Sequence, residues 1–309
     1  MSQAIPRRLS SCALIGALAT ACTTTAPPPA APVPVPTRKD SAAAQPPAAA
    51  ARWAPRRTAG SWQYELRSSG TVSLAGDTTA DSLPLGRTVL YTVSIEPAGP
   101  SNGGSPAFRL TGSVDSVAVA IPERIPTPTA GSNSKPRFQG AMAVNGHLTA
   151  LASDATTPCQ NATDPLTAAA TSLFVALPEK ISPNESWTDT VSTVTCRGRM
   201  PLVTTVTRQY TAITDTLWQG RTVLLLARHD SLAIQSRTDS ATDTTATADT
   251  TDTMAATGSG HGDFTLYVDP LSGVLLEARG TSHTEILVTT PNSRFPFRED
   301  ARQTITLLK

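Results

Sequence analysis

Excess charge is nearly absent from this 309-residue chain: 25 Lys and Arg stand against 24 Asp and Glu, a formal net charge of +1. Proteins that grip nucleic acid carry a clustered basic footprint, so nucleic acid is excluded as a partner class. Glycine motifs that cradle phosphates are missing too, both the P-loop and the dinucleotide fingerprint. No G-x-S-x-G elbow is present, and Gly258-Ser259-Gly260-His261-Gly262 resembles one only superficially. Ser132-Asn133-Ser134-Lys135 matches an S-x-x-K nucleophile pattern, yet it sits in Pro/Gly-rich text without the S-D-N and K-T-G partners that chemistry needs. Of the four histidines, His147 follows an Asn-Gly turn, where a solvated side chain is expected. His229-Asp230 and His261-Gly262-Asp263 would make a metal site only if their strands met. These absences assign no catalytic residue, no metal and no cofactor, and they point away from an enzyme.

Apolar runs long enough for a bilayer are also lacking near the N-terminus. The stretch from about Cys12 to Leu18 is roughly half the ~20 residues of a spanning helix. It follows Arg7-Arg8 and ends in Leu18-Ala19-Thr20-Ala21-Cys22. A charged region, a short apolar region and small residues before a cut describe a secretory signal over residues 1–21. With a cysteine straight after Ala21, the stretch resembles the lipobox of bacterial lipoproteins. In that family the cysteine is acylated and becomes the mature N-terminus, so the resemblance implies a membrane partner reached through a lipid anchor on Cys22. Each buried methylene contributes about 0.8 kcal/mol, and two or three acyl chains make a stable anchor. In enterobacterial members an Asp after that cysteine signals inner-membrane retention; Thr23 here implies the outer membrane. Ala19-x-Ala21 also suits ordinary signal cleavage, which would leave a soluble exported protein.

Cysteine is scarce as well, with four in the chain. Cys12 would leave with the signal. Of the remaining three, Cys159 and Cys196 suit a disulfide in an oxidising compartment, and the odd one, Cys22, is what lipidation would use. No C-x-x-C or neighbouring Cys/His pair supports a metal or redox thiol. In the chain-entropy account, closing a loop of about 38 residues stabilises by roughly 4 kcal/mol.

What is present divides the chain. Residues 22–57 are Ala- and Pro-rich without amphipathic period, which predicts a disordered tether; at ~3.1 Å per residue in polyproline geometry it reaches up to about 100 Å. Arg52, Arg56 and Arg57 beside Trp53 read as its solvated end or as contacts to anionic headgroups. From 58 to 309 the text turns to period two: Trp62, Tyr64 and Leu66, then Val89, Tyr91, Val93 and Ile95. The denser runs Val117–Ile121 and Val223–Ala227 imply cover on both faces. Asn145-Gly146 predicts a type I′ hairpin, Asp269-Pro270-Leu271-Ser272-Gly273 a second, and strands around Thr284–Thr290 and Gln303–Leu308 close the chain. One helix is predicted at 164–177, with Asp164 as cap, Pro165 first, Leu166, Ala169, Ala170, Leu173, Phe174 and Leu177 at helical spacing, and Pro178 as stop. The inserts 122–136 and 236–260 read as mobile loops. Leu83–Leu90 echoes Leu217–Leu224, which suggests two similar halves, 58–150 and 185–309.

The expected fold is therefore mainly β, an antiparallel sheet of about ten strands curved into a half-barrel or sandwich, with one helix. Lipobox, tether, sheet and lone helix together look like bacterial envelope lipoproteins, and the architecture is similar to the half-barrel of LolA/LolB-type lipoprotein carriers. That resemblance and the dense apolar runs imply a non-enzymatic protein holding an apolar ligand or lipid, with the helix over the opening. A structural or interaction module of the envelope is the other reading. A cavity of about 300 Å³ or more between helix and sheet separates the two. Replacing the predicted anchor, Cys22→Ser, should move the protein from the membrane fraction to the soluble one; unchanged membrane association would place the attachment elsewhere.

Overall fold

The computed structural model describes residues 51–309 except 75–81, 99–106, 121–134, 156, 158, 160–161, 198–199 and 238–253. The predicted signal, Cys22 and the tether up to residue 50 lie outside the described residues, as do Ser132–Ser134 and most of both predicted loops. In chain order the elements are β1 (Gly60–Leu74), β2 (Leu83–Pro97), β3 (Ala107–Ala120), β4 (Arg137–Ala143), β5 (Leu148–Ser153), α1 (Pro165–Ala169) with a 3₁₀ turn (Ala170–Leu173), β6 (Ser186–Arg197), β7 (Met200–Trp218), β8 (Arg221–Ser236), β9 (Ala255–Val268), β10 (Leu275–Thr290) and β11 (Ser293–Leu307). Eleven strands form one antiparallel, nearly closed barrel-like sheet. Its order is β5-β4-β3-β2-β1-β11-β10-β9-β8-β7-β6, so the first and last strands pair at the centre and β5 and β6 form the edges.

Adjacent strands alternate in direction, and counting outward from the β1–β11 pair leaves the two edge strands running the same way. Antiparallel bonds cannot join them, since the two edges would need an even count between them to face in opposite senses. The chain returns from the end of β5 to the start of β6 through the barrel interior. Asp164 caps α1 by accepting from the backbone N–H of Leu166 at 2.9 Å and of Thr167 at 3.2 Å, and Pro165 takes the first turn. The α-helix itself is five residues long, not the 164–177 predicted, and Phe174 is already extended. The reason is that Leu173, Phe174, Val175, Ala176 and Leu177 are all buried. Inside a barrel every side of the segment meets apolar wall, so the helical spacing of Leu173, Phe174 and Leu177 reports burial and not an amphipathic face.

This plug is the centre of the core. Ala170, Leu173 and Val175 belong to the same buried cluster as Tyr91, Met142, Tyr210 and Leu226. Its backbone is tied to the wall: Tyr91 Oη donates to the Leu166 carbonyl at 2.8 Å, Trp187 Nε1 to the Ala176 carbonyl at 2.8 Å, and the Leu177 N–H to the Asn145 carbonyl at 2.7 Å. The inward residues of β2 expected from period two, Val89, Tyr91, Val93 and Ile95, are all buried against it. Each such side chain is worth roughly 1.5–3 kcal/mol.

The domain begins earlier than residue 58. Trp53 is buried, forms an antiparallel bridge with Ile181, and donates from Nε1 to Asp215 at 2.5 Å; Arg52 pairs with the same carboxylate. Arg57 donates to the Val175 carbonyl at 2.8 Å. Composition hid this, because one Trp among Ala, Pro and Arg has no periodic partner within its own segment.

Two turns also differ from expectation. Only Gly146 of the Asn145-Gly146 pair has positive φ, +87°. The Gly146 N–H reaches the Ala143 carbonyl, and Ala143 and His147 close a three-residue loop in place of a two-residue type I′ turn. Two consecutive positive φ values occur instead at Gln219 and Gly220, joining β7 to β8. Gly220 therefore occupies a turn, whereas Gly86, its counterpart in the repeated text, lies within β2. Of the insert 236–260, Ala255–Gly260 belongs to β9.

The β5–β6 seam is held by three ties. Cys159 and Cys196 are bonded, with Cα atoms 5.6 Å apart. The Thr163 N–H donates to the Val194 carbonyl at 2.6 Å, so the chain entering α1 lies along the β6 edge. At the other end, His147 Nδ1 lies 2.5 Å from Oδ1 of the buried Asp189, where a solvated His147 had been expected. Removing the bond with Cys159→Ala and Cys196→Ala should cost about 2–5 kcal/mol in denaturant unfolding. Labelling of unreduced, denatured protein should find neither thiol reactive; two reactive thiols would contradict the bond.

Candidate functional site: the lumen of the open half

Residues directly opposite in register share a face, and i, i+2 neighbours repeat it. Starting from the buried Tyr64 and Leu66, this rule assigns the whole inner wall. Along β8 the inward positions are Leu224, Leu226, Arg228, Asp230, Leu232 and Ile234. The plug fills the half of the barrel that holds Leu224 and Leu226. Beyond it lies a cavity of about 240 Å³, bounded by Ala169, Thr171 and Ser172 of the plug and by Leu66, Val206, Leu232 and Phe264 of the wall. A second cavity of about 200 Å³ near the rim is lined by Leu85 and Val119, and the two share Arg87 and Glu299.

Above Phe264, β9 offers three glycines in a row to this half: Gly258, Gly260 and Gly262 occupy consecutive inward positions opposite Ile286, Thr284 and Ser282 of β10. A Cβ on Gly260 would sit 2.4 Å from the His283 carbonyl oxygen, so close approach of the backbones requires glycine there. The same feature thins the wall of the lumen.

Two buried arginines face the deep cavity. Arg208, on β7, donates to the Thr171 carbonyl at 3.2 Å and to Thr171 Oγ1 at 3.3 Å, which fastens the plug. Arg228 places its guanidinium 4.2 Å from the centre of the Phe264 ring, and its Nε lies 3.0 Å from Asp230 Oδ1 as an ion pair out of line for a hydrogen bond. Arg208 Nε and Arg228 Nη1 find no acceptor in hydrogen-bonding geometry. Burial pushes the Arg228 pKa down and that of Asp230 up, the latter against the opposing pull of Arg228 and Arg208. Buried donors without acceptors are uncommon and costly, about 1–3 kcal/mol each.

His229, His261 and His283 lie on the outer face. His229 pairs with Asp263 at 2.9 Å, and His283 with Asp300 at 2.8 Å, while the His261 and His283 rings are 5.4 Å apart. The strands thus bring His229 and Asp263 together, but Asp230 points inward, and among the described residues no group of three His, Cys, Asp or Glu is placed to hold a metal. Hydrogen bonds from His283 and Arg298 hold the Asp300 carboxyl below the usual range. Sequence reasoning passed over Arg208 and Arg228. The signal was available: in Leu224, Leu226, Arg228, Asp230, Leu232, Ile234 an apolar period-two row is broken by charge at inward positions.

No protein-family model matches the chain, and no curated protein matches it in sequence. Among the described residues no helix is long and apolar enough to cross a membrane.

Proposed function

We propose that this chain is a non-enzymatic, lipid-anchored protein of the bacterial envelope, on the outer membrane, whose barrel binds an apolar ligand or lipid at its open end. The observation that carries the binding role is the apolar rim. Leu74, Leu83, Leu85, Val117 and Val119 all occupy inward positions by register, yet they are 38–52% exposed. Val117 and Val119 were expected to be covered on both faces; instead they stand open above the cavity. Inward apolar side chains left in water stabilise nothing by themselves, and a contiguous exposed apolar patch marks a binding surface. The plug supports this reading by its position: it fills one half of the lumen and forms the floor of the other, in place of lying over an opening. The anchor rests on the Cys22 stretch and the tether.

A structural or interaction module is favoured by a different observation, the solid packing of the plugged half. The deep cavity, at about 240 Å³, falls short of the roughly 300 Å³ of a small-molecule site, and the rim cavity of about 200 Å³ adjoins it at Arg87 and Glu299, beneath the exposed apolar rim. The exposed apolar rim makes binding the stronger reading.

A neutral apolar fluorophore such as N-phenylnaphthylamine tests it. The protein should bind one equivalent saturably, and Val119→Asp, at an exposed position that folding tolerates, should weaken binding about tenfold by setting a charge against the apolar path. No saturable binding by the unmodified protein, or unchanged binding by the variant, would overturn the reading.

A further inference from the structure

We propose that the ligand is an anionic amphiphile, its carboxylate or phosphate head held by Arg208 and Arg228 on the floor of the lumen and its apolar chain running toward the rim. This rests on the binding role proposed above and adds the chemistry of the head. Both guanidiniums are at least nine-tenths buried and line the 240 Å³ cavity. Asp230 lies beside both, and Asp189, opposite Arg208 in register, is hydrogen-bonded to His147 at 2.5 Å, so two carboxylates offset the two guanidiniums in charge. They do not saturate the donors: Arg208 Nε and Arg228 Nη1 remain without acceptors, and Tyr210 Oη and Asp230 Oδ1, buried at the same place, are also without hydrogen bonds. Arg87 and Glu299, shared by the two cavities, bring one charge of each sign and leave the balance unaltered.

The geometry fixes the orientation of the guest. From Arg228 to Ile234 the inward row of β8 climbs six residues, about 20 Å at strand rise. Above the arginines that row is Leu232 and Ile234, joined by Val206 from β7 and Leu85, Val117 and Val119 around the rim. An anion alone would gain the floor but leave this apolar wall wet. A neutral amphiphile would fill the wall but leave buried donors unpaired, and that is the loss a recognising site turns into selectivity. Arginine suits the head because its planar fork bonds carboxylate or phosphate through two N–H groups. Phe264 and Thr171 hold the two forks in place before any ligand arrives.

The test compares dodecanoate, dodecanol and acetate as competitors of the neutral fluorophore on the purified protein. Dodecanoate should displace it at about one tenth of the dodecanol concentration or less, the worth of one charge-assisted hydrogen bond, and acetate should not compete at either concentration. Arg228→Met should bring dodecanoate to the level of dodecanol. Because that substitution touches the packing of Phe264, the acid-to-alcohol ratio on the unmodified protein stands as the primary readout. Equal displacement by acid and alcohol would overturn the assignment of the head while leaving the apolar site intact. Displacement by acetate at dodecanoate concentrations would overturn the need for a chain. A preference for the acid that survives in folded Arg208→Met and Arg228→Met proteins alike would overturn the role of the two arginines.

Discussion

Eleven strands in antiparallel order cannot close a barrel with antiparallel bonds alone, and much of the structure is arranged around that parity. With β1 and β11 paired at the centre, the edges β5 and β6 run in the same direction and cannot exchange antiparallel bonds. The covalent link between them must travel the length of the barrel in the opposite sense, and it does so inside. One connection thereby supplies the core of one half, with its backbone satisfied by Tyr91, Trp187 and Arg208. The same parity explains why the disulfide, the Thr163 bond and the His147–Asp189 pair gather at the seam: exposed edges invite foreign strands, and here each end of the gap is occupied by the protein's own groups.

A plug of this length fills only part of the lumen. Strands of 14 to 19 residues, such as β9 and β7, extend well past it, and their surplus forms the walls of the open half. There the inner face behaves unlike a core. Inward valines and leucines stand in water, β9 shows glycine at three consecutive inward positions, and two buried arginines keep donors without acceptors. Each feature costs stability in a protein whose net margin is typically about 5–15 kcal/mol. Their convergence on one space is the physical argument that the space has a use.

Much of the architecture was legible in the residues. Period-two rows such as Val89, Tyr91, Val93 and Ile95 gave strand, face and burial together, and the Asp164-Pro165 start of the helix appeared where its capping chemistry placed it. The helix end was not legible, because inside a barrel the apolar spacing no longer distinguishes helix from extended chain. Trp53 was hidden by its own segment, since its partner Ile181 lies far along the sequence. The lumen was half visible. Arg228 and Asp230 interrupt an inward apolar row, yet their meeting with Arg208 depends on the β7–β8 register, which in turn depends on a turn at Gln219-Gly220 that has no common hairpin signature. Exposure of Val117 and Val119 was beyond reach, for local pattern says that a run is apolar and not whether anything covers it.

The claim that the open half is ligand space, and not core left uncovered, is tested most directly on protein purified from the cells that make it. Mass spectrometry under native and then denaturing conditions separates a guest from a covalent anchor. The account predicts one amphiphile-sized mass carried under native conditions and released on unfolding, on top of whatever is covalently attached. Identical masses in both conditions, from protein shown to be folded, would contradict it.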